Sequence, residues 1–213
     1  WFQSLNSAFI VIFAPIFALF WIALGKKKAE PSSPMKMAIG LLLLSLGYLI
    51  IAMGVKGVAA NVKVSMLWLT TMYALHTWGE LCLSPIGLSL VNKMAPLRFG
   101  SLLMGVWFMA NAAASVFAGK LSALYPPGAG EVQKAAKAGI ALEPILTDPS
   151  IATADQIAKL KELEIPYQFS SFLGYTITNL YDFFMLFVGM STIAAIILFL
   201  LVRKLQKMMH GIN

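Results

Sequence analysis

The chain has 213 residues, 59% of them hydrophobic and 12% charged, with a mean hydropathy of +0.80. A soluble domain carries about 25% charged residues, so an ordinary water-soluble globule is excluded: much of this surface must face lipid or other lipid-embedded helices. The net charge of +7 raises nucleic acid as a partner, but the lysines and arginines cluster at the ends of apolar runs, the pattern that orients membrane proteins, and no nucleic-acid partner is expected.

A spanning helix needs about 20 mostly apolar residues, and five segments qualify. The first runs over about 4–24. It has no charge but carries Gln3, Ser4, Asn6 and Ser7 near its start, which either cap the helix at the interface or face an interior cavity. A connection with Lys26, Lys27, Lys28, Glu30 and Lys36 follows, broken and restarted by Pro31-Ser32-Ser33-Pro34. The second span, about 37–53, is also uncharged. A short loop with Lys56 and Lys63 leads to the third, 66–91, which contains one charge, Glu80, and the single cysteine, Cys82, read as a small buried hydrophobe. Lys93 and Arg98 precede the fourth span, 101–124, rich in small residues from Ala110 to Gly119 and charged only at Lys120. Small residues let membrane helices approach closely. The fifth span is 180–202, followed by a basic tail, 203–213, with Arg203, Lys204 and Lys207.

Residues 125–179 differ in character, with Pro126-Pro127-Gly128 and four lysines against six acids. They are expected to form a solvated extracytoplasmic loop with one or two short helices. Thr153 followed by Gln156 reads as a capping box opening a helix over Asp155 to Glu162. If every run spans, two connecting segments and the basic tail lie on one side and together hold nine of the 16 lysines and arginines. That side, with the tail, is expected to be cytoplasmic, with Trp1 starting outside. The absence of an initial methionine and the odd number of spans point to a piece of a longer protein, a complete five-span protein being the alternative.

Glu80 is the most informative residue. An acid in a membrane helix costs about 2.5–3.5 kcal/mol on the insertion scale and usually faces the bundle interior or a water-filled cavity, often as a proton relay. Desolvation raises a carboxyl pKa, which would suit coupling of protonation to a substrate; an acid paired with a cation elsewhere, for packing alone, is the other reading. His76, Glu80 and Ser84 stand at i, i+4 and i+8, one polar stripe on one face. His76 is either a proton partner of Glu80 or a hydrogen-bonded packing residue. Pro85 removes the bond to the Leu81 carbonyl; with Gly79 and Gly87 beside it, the helix is expected to bend near Glu80, as a gate or as a static kink. Trp107 lies about two turns inside its span, lining a cavity or packed in the core. No metal-ligand set, phosphate loop or nucleophile elbow occurs, so an enzyme is not expected.

The strings Trp1-Phe2-Gln3-Ser4-Leu5-Asn6, Gly79-Glu80-Leu81-Cys82-Leu83-Ser84-Pro85-Ile86-Gly87-Leu88-Ser89 and Met104-Gly105-Val106-Trp107-Phe108, with Lys93-Met94-Ala95-Pro96 between them, closely resemble the proton-dependent oligopeptide transporter family of the major facilitator superfamily. The resemblance implies an all-α membrane fold in which these five spans are helices eight to twelve of twelve, a partial C-terminal bundle that packs in a lipid bilayer against N-terminal helices not contained in this chain. It implies symport of di- or tripeptides with protons, no cofactor beyond the coupling proton, and a multi-pass place in the cell (inner) membrane. It also implies that Glu80 meets the peptide amino terminus, with Asn6 beside it, Ser84 in the gating and pocket region and Trp107 in the pocket wall. The family often has proline after that asparagine, where this chain has Ser7. The Glu-x-x-Glu-Arg motif of the family's N-terminal half is absent here, so this chain by itself is not expected to transport. A carrier of nitrate or another small solute, and a non-transporting structural subunit, are the alternatives; Glu80 argues against the latter. From these residues together the expectation is one shared mid-membrane cavity lined by Asn6, Glu80, Ser84 and Trp107, since a carboxylate and an amide in hydrocarbon both need polar company.

Overall fold

The structure, a computed structural model, describes residues 2–58, 64–96 and 98–209. The expectations attached to Trp1, Lys63 and the side chain of Gln3 lie outside the described residues. Five long helices appear where five apolar runs stand: α1 (Phe2–Lys26), α2 (Ser33–Val55), α3 (Met66–Met94), α4 (Gly100–Ser122) and, after three short α-helices, a 3-10 turn and a hairpin, α8 (Leu180–Met208). α1, α2, α4 and α8 are long and apolar enough to cross a membrane on length and composition alone. α3 is not among them, although its 29 residues would reach about 43 Å at 1.5 Å per residue. Its hydropathy is diluted by His76, Glu80 and the threonines and serines around them, the same residues that give it chemistry. The basic tail expected after Val202 is not separate: α8 continues to Met208, so Arg203, Lys204 and Lys207 extend the spanning helix itself. A helix end is set by backbone hydrogen bonds, whereas the hydropathy boundary is set by side chains.

The chain divides into two compact units. The first holds α1, α2, α3 and most of α4 and α8. Within it α2 and α3 approach closely. Gly40, Gly47 and Gly54 recur every seven residues along α2, and a Cβ on each would strike α3: the Gly79 carbonyl oxygen at 2.8 Å, the His76 ring at 2.4 Å and the Trp68 ring at 2.6 Å, respectively. The small-residue seam thus lies on α2, a helix not singled out for it by the sequence. Cys82, 1% exposed, sits in this seam against Gly40. On another face α2 meets α8, where the Ser45 and Thr192 hydroxyls are 2.6 Å apart and Tyr48 stacks on Phe187 with centroids 5.2 Å apart. α1 meets α3 through Phe13, whose ring stands edge-on to Trp78 at 5.4 Å. The α1–α2 connection is closed by Lys36, which pairs with Glu30 and lies 4.7 Å over the Trp21 ring. α4 buries none of its residues within the chain, leaving its apolar surface for lipid or further helices.

The second unit is more than the solvated loop expected for 125–179. α5 (Ala129–Lys137), α6 (Leu142–Thr147) and α7 (Ala154–Glu162) enclose a core of Ala135, Ile140, Leu142, Ile145, Leu146, Leu160 and Ile165. The Thr153–Gln156 capping box forms, with reciprocal bonds of 3.3 and 3.0 Å. Glu131 reaches back to the Gly128 N–H at 3.0 Å to start α5. Both α5 and α7 end in Schellman turns: Ile140 N–H bonds the Ala135 carbonyl and Ile165 N–H the Leu160 carbonyl, each at 2.9 Å. Gly139 takes the left-handed position in the first and Glu164 in the second, at φ 77° and 56°. These turns fold Ile140 and Ile165 back into the core. An antiparallel hairpin follows, β1 (Ser170–Phe172) and β2 (Tyr175–Ile177), pairing Phe172 with Tyr175. Two positive-φ residues, Leu173 and Gly174, close it, the backbone signature of a two-residue hairpin turn. Asp182 ties the hairpin to the start of α8, accepting from the Thr178 N–H at 3.1 Å and hydroxyl at 2.5 Å, while Asn179 caps the helix through the Asp182 N–H at 2.9 Å.

Candidate functional site

α3 runs unbroken through Pro85, so its 3.6-residue period holds and His76, Glu80 and Ser84 share one face. That face opens on a cleft of about 590 Å³ lined by these three residues, by Tyr73 and Leu83 of α3, by Leu44 of α2 and by Asn6 of α1. The cleft therefore has one carboxyl, one imidazole, two hydroxyls and an amide set against two leucines.

Asn6 is the cross-helix contact. Its Nδ2 donates to Glu80 Oε2 at 3.3 Å, and its Oδ1 accepts from the Thr77 hydroxyl at 2.6 Å. α1 brings this amide into place because its aromatic residues pack on Trp78, next to Thr77 in sequence. Asn6 therefore faces α3 rather than capping α1. His76 reaches both the cleft and the α2 seam: its ring stands edge-on to Tyr48 at 4.5 Å, and its Nε2 is buried without a hydrogen-bond partner.

Trp107 does not line this cleft. Its indole lies on Gly87, where a Cβ would stand 2.4 Å from the ring, two helical turns beyond Glu80 and so about 10 Å further along the axis. The expected four-residue convergence is thus three residues of the four. A tryptophan in a span has only tertiary packing to say where it points. Gly79 and Gly87, expected near a bend, stand where other helices close in, against Gly40 and Trp107 respectively.

Thr77 was not among the residues the sequence suggested, yet it is fully buried and holds the amide that touches Glu80. Its signal was faint, because a threonine in a membrane helix is usually occupied by its own i−4 carbonyl. Thr77 makes that bond too, to the Tyr73 carbonyl at 2.8 Å.

The sequence pattern of the POT family matches residues 1–136, which include α1 to α4 and with them the whole cleft. Among curated proteins, the uncharacterized transporter YclF of Bacillus subtilis is 46% identical over 126 residues, 59% of this chain and 25% of that protein. The peptide transporter YePEPT of Yersinia enterocolitica is 43% identical over 121 residues, 56% of this chain and 24% of its own length. The chain thus spans about a quarter of the length of these relatives. Among solved structures, that of the peptide transporter POT in complex with sulfate superposes with a TM-score of 0.64 at 29% identity, covering 99% of this chain and 32% of that one. With the family pattern running over more than half of its residues, and the cleft-bearing helices within that stretch, the chain belongs to the POT family.

Proposed function

We propose that this chain supplies helices eight to twelve of a proton-coupled symporter for di- and tripeptides, and half of the peptide pocket near the middle of the membrane. One observation carries the reading: Glu80, the one acid lining the cleft among the described residues, is held by Asn6 and left uncovered on the cleft side within this chain. A peptide's ammonium group offers three N–H donors and a positive charge, and an ionised carboxylate is an acceptor-only partner for it. Leu44, Leu83 and the Tyr73 ring offer apolar surface to a side chain. Nitrate would meet the wrong charge at Glu80, so a small-anion carrier fits the cleft less well. The names of the similar proteins, peptide transporters in two of the three cases, support the substrate class. Transport by the whole protein needs the remaining helices. The test is uptake by the full-length protein in liposomes: a labelled dipeptide is expected to accumulate against its gradient when an inward proton gradient is imposed. Accumulation of nitrate in place of dipeptide, or dipeptide movement indifferent to the proton gradient, overturns the proposal.

The same reading places α8's basic end, with Lys26, Lys27, Lys28 and Lys36, on the cytoplasmic side of the cell membrane, and the module of 125–179 outside. Single cysteines at the exposed positions Lys137 and Lys207 check this in whole cells. An impermeant maleimide is expected to label position 137 and spare 207; labelling of 207 alone reverses the orientation.

A further inference from the structure

Thr77 stands three residues before Glu80 on α3, with 0% exposure. Its single hydroxyl proton has two acceptors within reach: Asn6 Oδ1 at 2.6 Å and the Tyr73 carbonyl at 2.8 Å. Asn6 in turn has two ends, one toward Thr77 and the other toward Glu80 at 3.3 Å. An ionised carboxylate only accepts hydrogen bonds. While Glu80 is charged, Asn6 must therefore present its N–H to Glu80 and its carbonyl oxygen to Thr77, and the Thr77 proton completes the chain. A protonated carboxyl donates instead. The amide then turns over, its oxygen taking the Glu80 O–H and its N–H pointing at Thr77. The threonine oxygen accepts, and its proton swings to the Tyr73 carbonyl. The Thr77 hydroxyl and both ends of the Asn6 amide keep a partner in both arrangements, which a polar network needs if it is to switch without cost.

We propose that Thr77 is a positioning residue that fixes the Asn6 amide against Glu80, so that the carboxylate is held ready for the ammonium group of a peptide, and that its hydroxyl accommodates the turned-over amide when Glu80 carries a proton. The titratable groups facing this cleft are Glu80, His76 and Tyr73, all on α3, while α1 and α2 contribute Asn6 and Leu44. Thr77 itself does not line the cleft and acts only through Asn6. The inference rests on the reading of Glu80 as the peptide-amine site.

The test uses the full-length protein in liposomes, with dipeptide KM and maximal rate measured separately. Thr77→Val keeps the shape and removes the hydroxyl, leaving one end of the amide unsatisfied; KM is expected to rise about tenfold, the cost of one lost buried hydrogen bond, with the maximal rate changed less. Thr77→Ser, which keeps the hydroxyl, is expected to hold the wild-type KM. In an Asn6→Ala background the amide is gone, so Thr77→Val should add no further rise; this non-additivity separates positioning from a general loss of structure. Where Thr77→Val is not recovered folded, Thr77→Ala takes its place in the same comparisons. An unchanged KM in Thr77→Val, or a rise equally large with and without Asn6, overturns the inference. Glu80→Gln in the same assay distinguishes the two levels: uptake that survives it defeats the underlying site, whereas uptake lost in Glu80→Gln but indifferent to Thr77 defeats only the role of Thr77.

Discussion

Glu80→Gln in the full-length transporter is expected to lower proton-driven dipeptide accumulation by about 100-fold or more, the scale set by removing one partner of a desolvated charge pair, while the protein folds and melts as before. The reason for expecting function and stability to separate lies in the local geometry. A glutamine amide has nearly the volume of the carboxyl, and its Oε1 still accepts the Asn6 N–H that now reaches Glu80 at 3.3 Å. What it lacks is the negative charge and the site for a proton. Asn6→Ala removes the cross-helix amide instead and leaves the charge, so its effect is expected to be smaller, about tenfold on KM. The measurement is accumulation in liposomes with and without an inward proton gradient, alongside thermal unfolding in detergent. Wild-type accumulation in Glu80→Gln would remove Glu80 from the transport cycle and with it the cleft as the peptide site.

How much of this site could be read from the residues depends on whether one helix or two are involved. His76, Glu80 and Ser84 were legible because helical periodicity alone places them on one face. Asn6 drew attention as a polar residue at the start of an apolar run and through the family resemblance, but the sequence left open whether it capped α1 or faced inward. Only the packing of Phe13 and Phe17 against Trp78 decides that. Trp107 shows the opposite outcome: its position within its span was right, but the side chain lies on Gly87, and no spacing rule foretells a partner on another helix. The five long helices followed from the apolar runs, with α3 the least apolar because it carries the polar stripe, so that four of the five meet the hydropathy of a span. Residues 125–179 were under-read for a related reason. Ile140, Leu142, Ile145, Leu146, Leu160 and Ile165 form a core, yet they come from two short helices, α6 and α7, and from the turns that follow α5 and α7, so no one helical period runs through them. The Gly139 and Ile140 pair after α5 was the available signal, a glycine stop followed by an apolar residue that folds back.

Gly79→Val is expected to destabilise the membrane-spanning unit by about 3 kcal/mol or more, the upper range for forcing volume into a packed interior. A Cβ at Gly79 would lie 2.7 Å from the carbonyl oxygen of Gly40, and one at Gly40 would lie 2.8 Å from that of Gly79. The contact is backbone against backbone, so no side-chain rotation can relieve it. At Gly47 and Gly54 the obstructing atoms belong to the His76 and Trp68 rings, which have some freedom to turn, and substitutions there should cost less. The crossing of α2 and α3 at Gly40 and Gly79 is therefore the point where the two helices must either part or fail to associate. In a bilayer no hydrophobic force between helices would pull them back, because the lipid tails are as apolar as the side chains, and close packing is itself the source of association. Gly130→Ala is the opposing control: that glycine lies in exposed α5 with nothing near its Cβ, and the change is expected to stabilise by about 0.5–1 kcal/mol through helix propensity. Thermal unfolding of the purified full-length variants measures both. The pair also decides between two roles for Gly79. A glycine that serves as a hinge would slow transport when replaced and leave unfolding alone. One that admits a neighbouring backbone would lower the unfolding temperature first, and Gly40→Val would reproduce the loss, the two together costing less than the sum of each because they destroy the same contact. Wild-type melting of Gly79→Val would mean that α2 and α3 do not approach so closely, and Leu44 would then lose its place at the cleft beside Glu80.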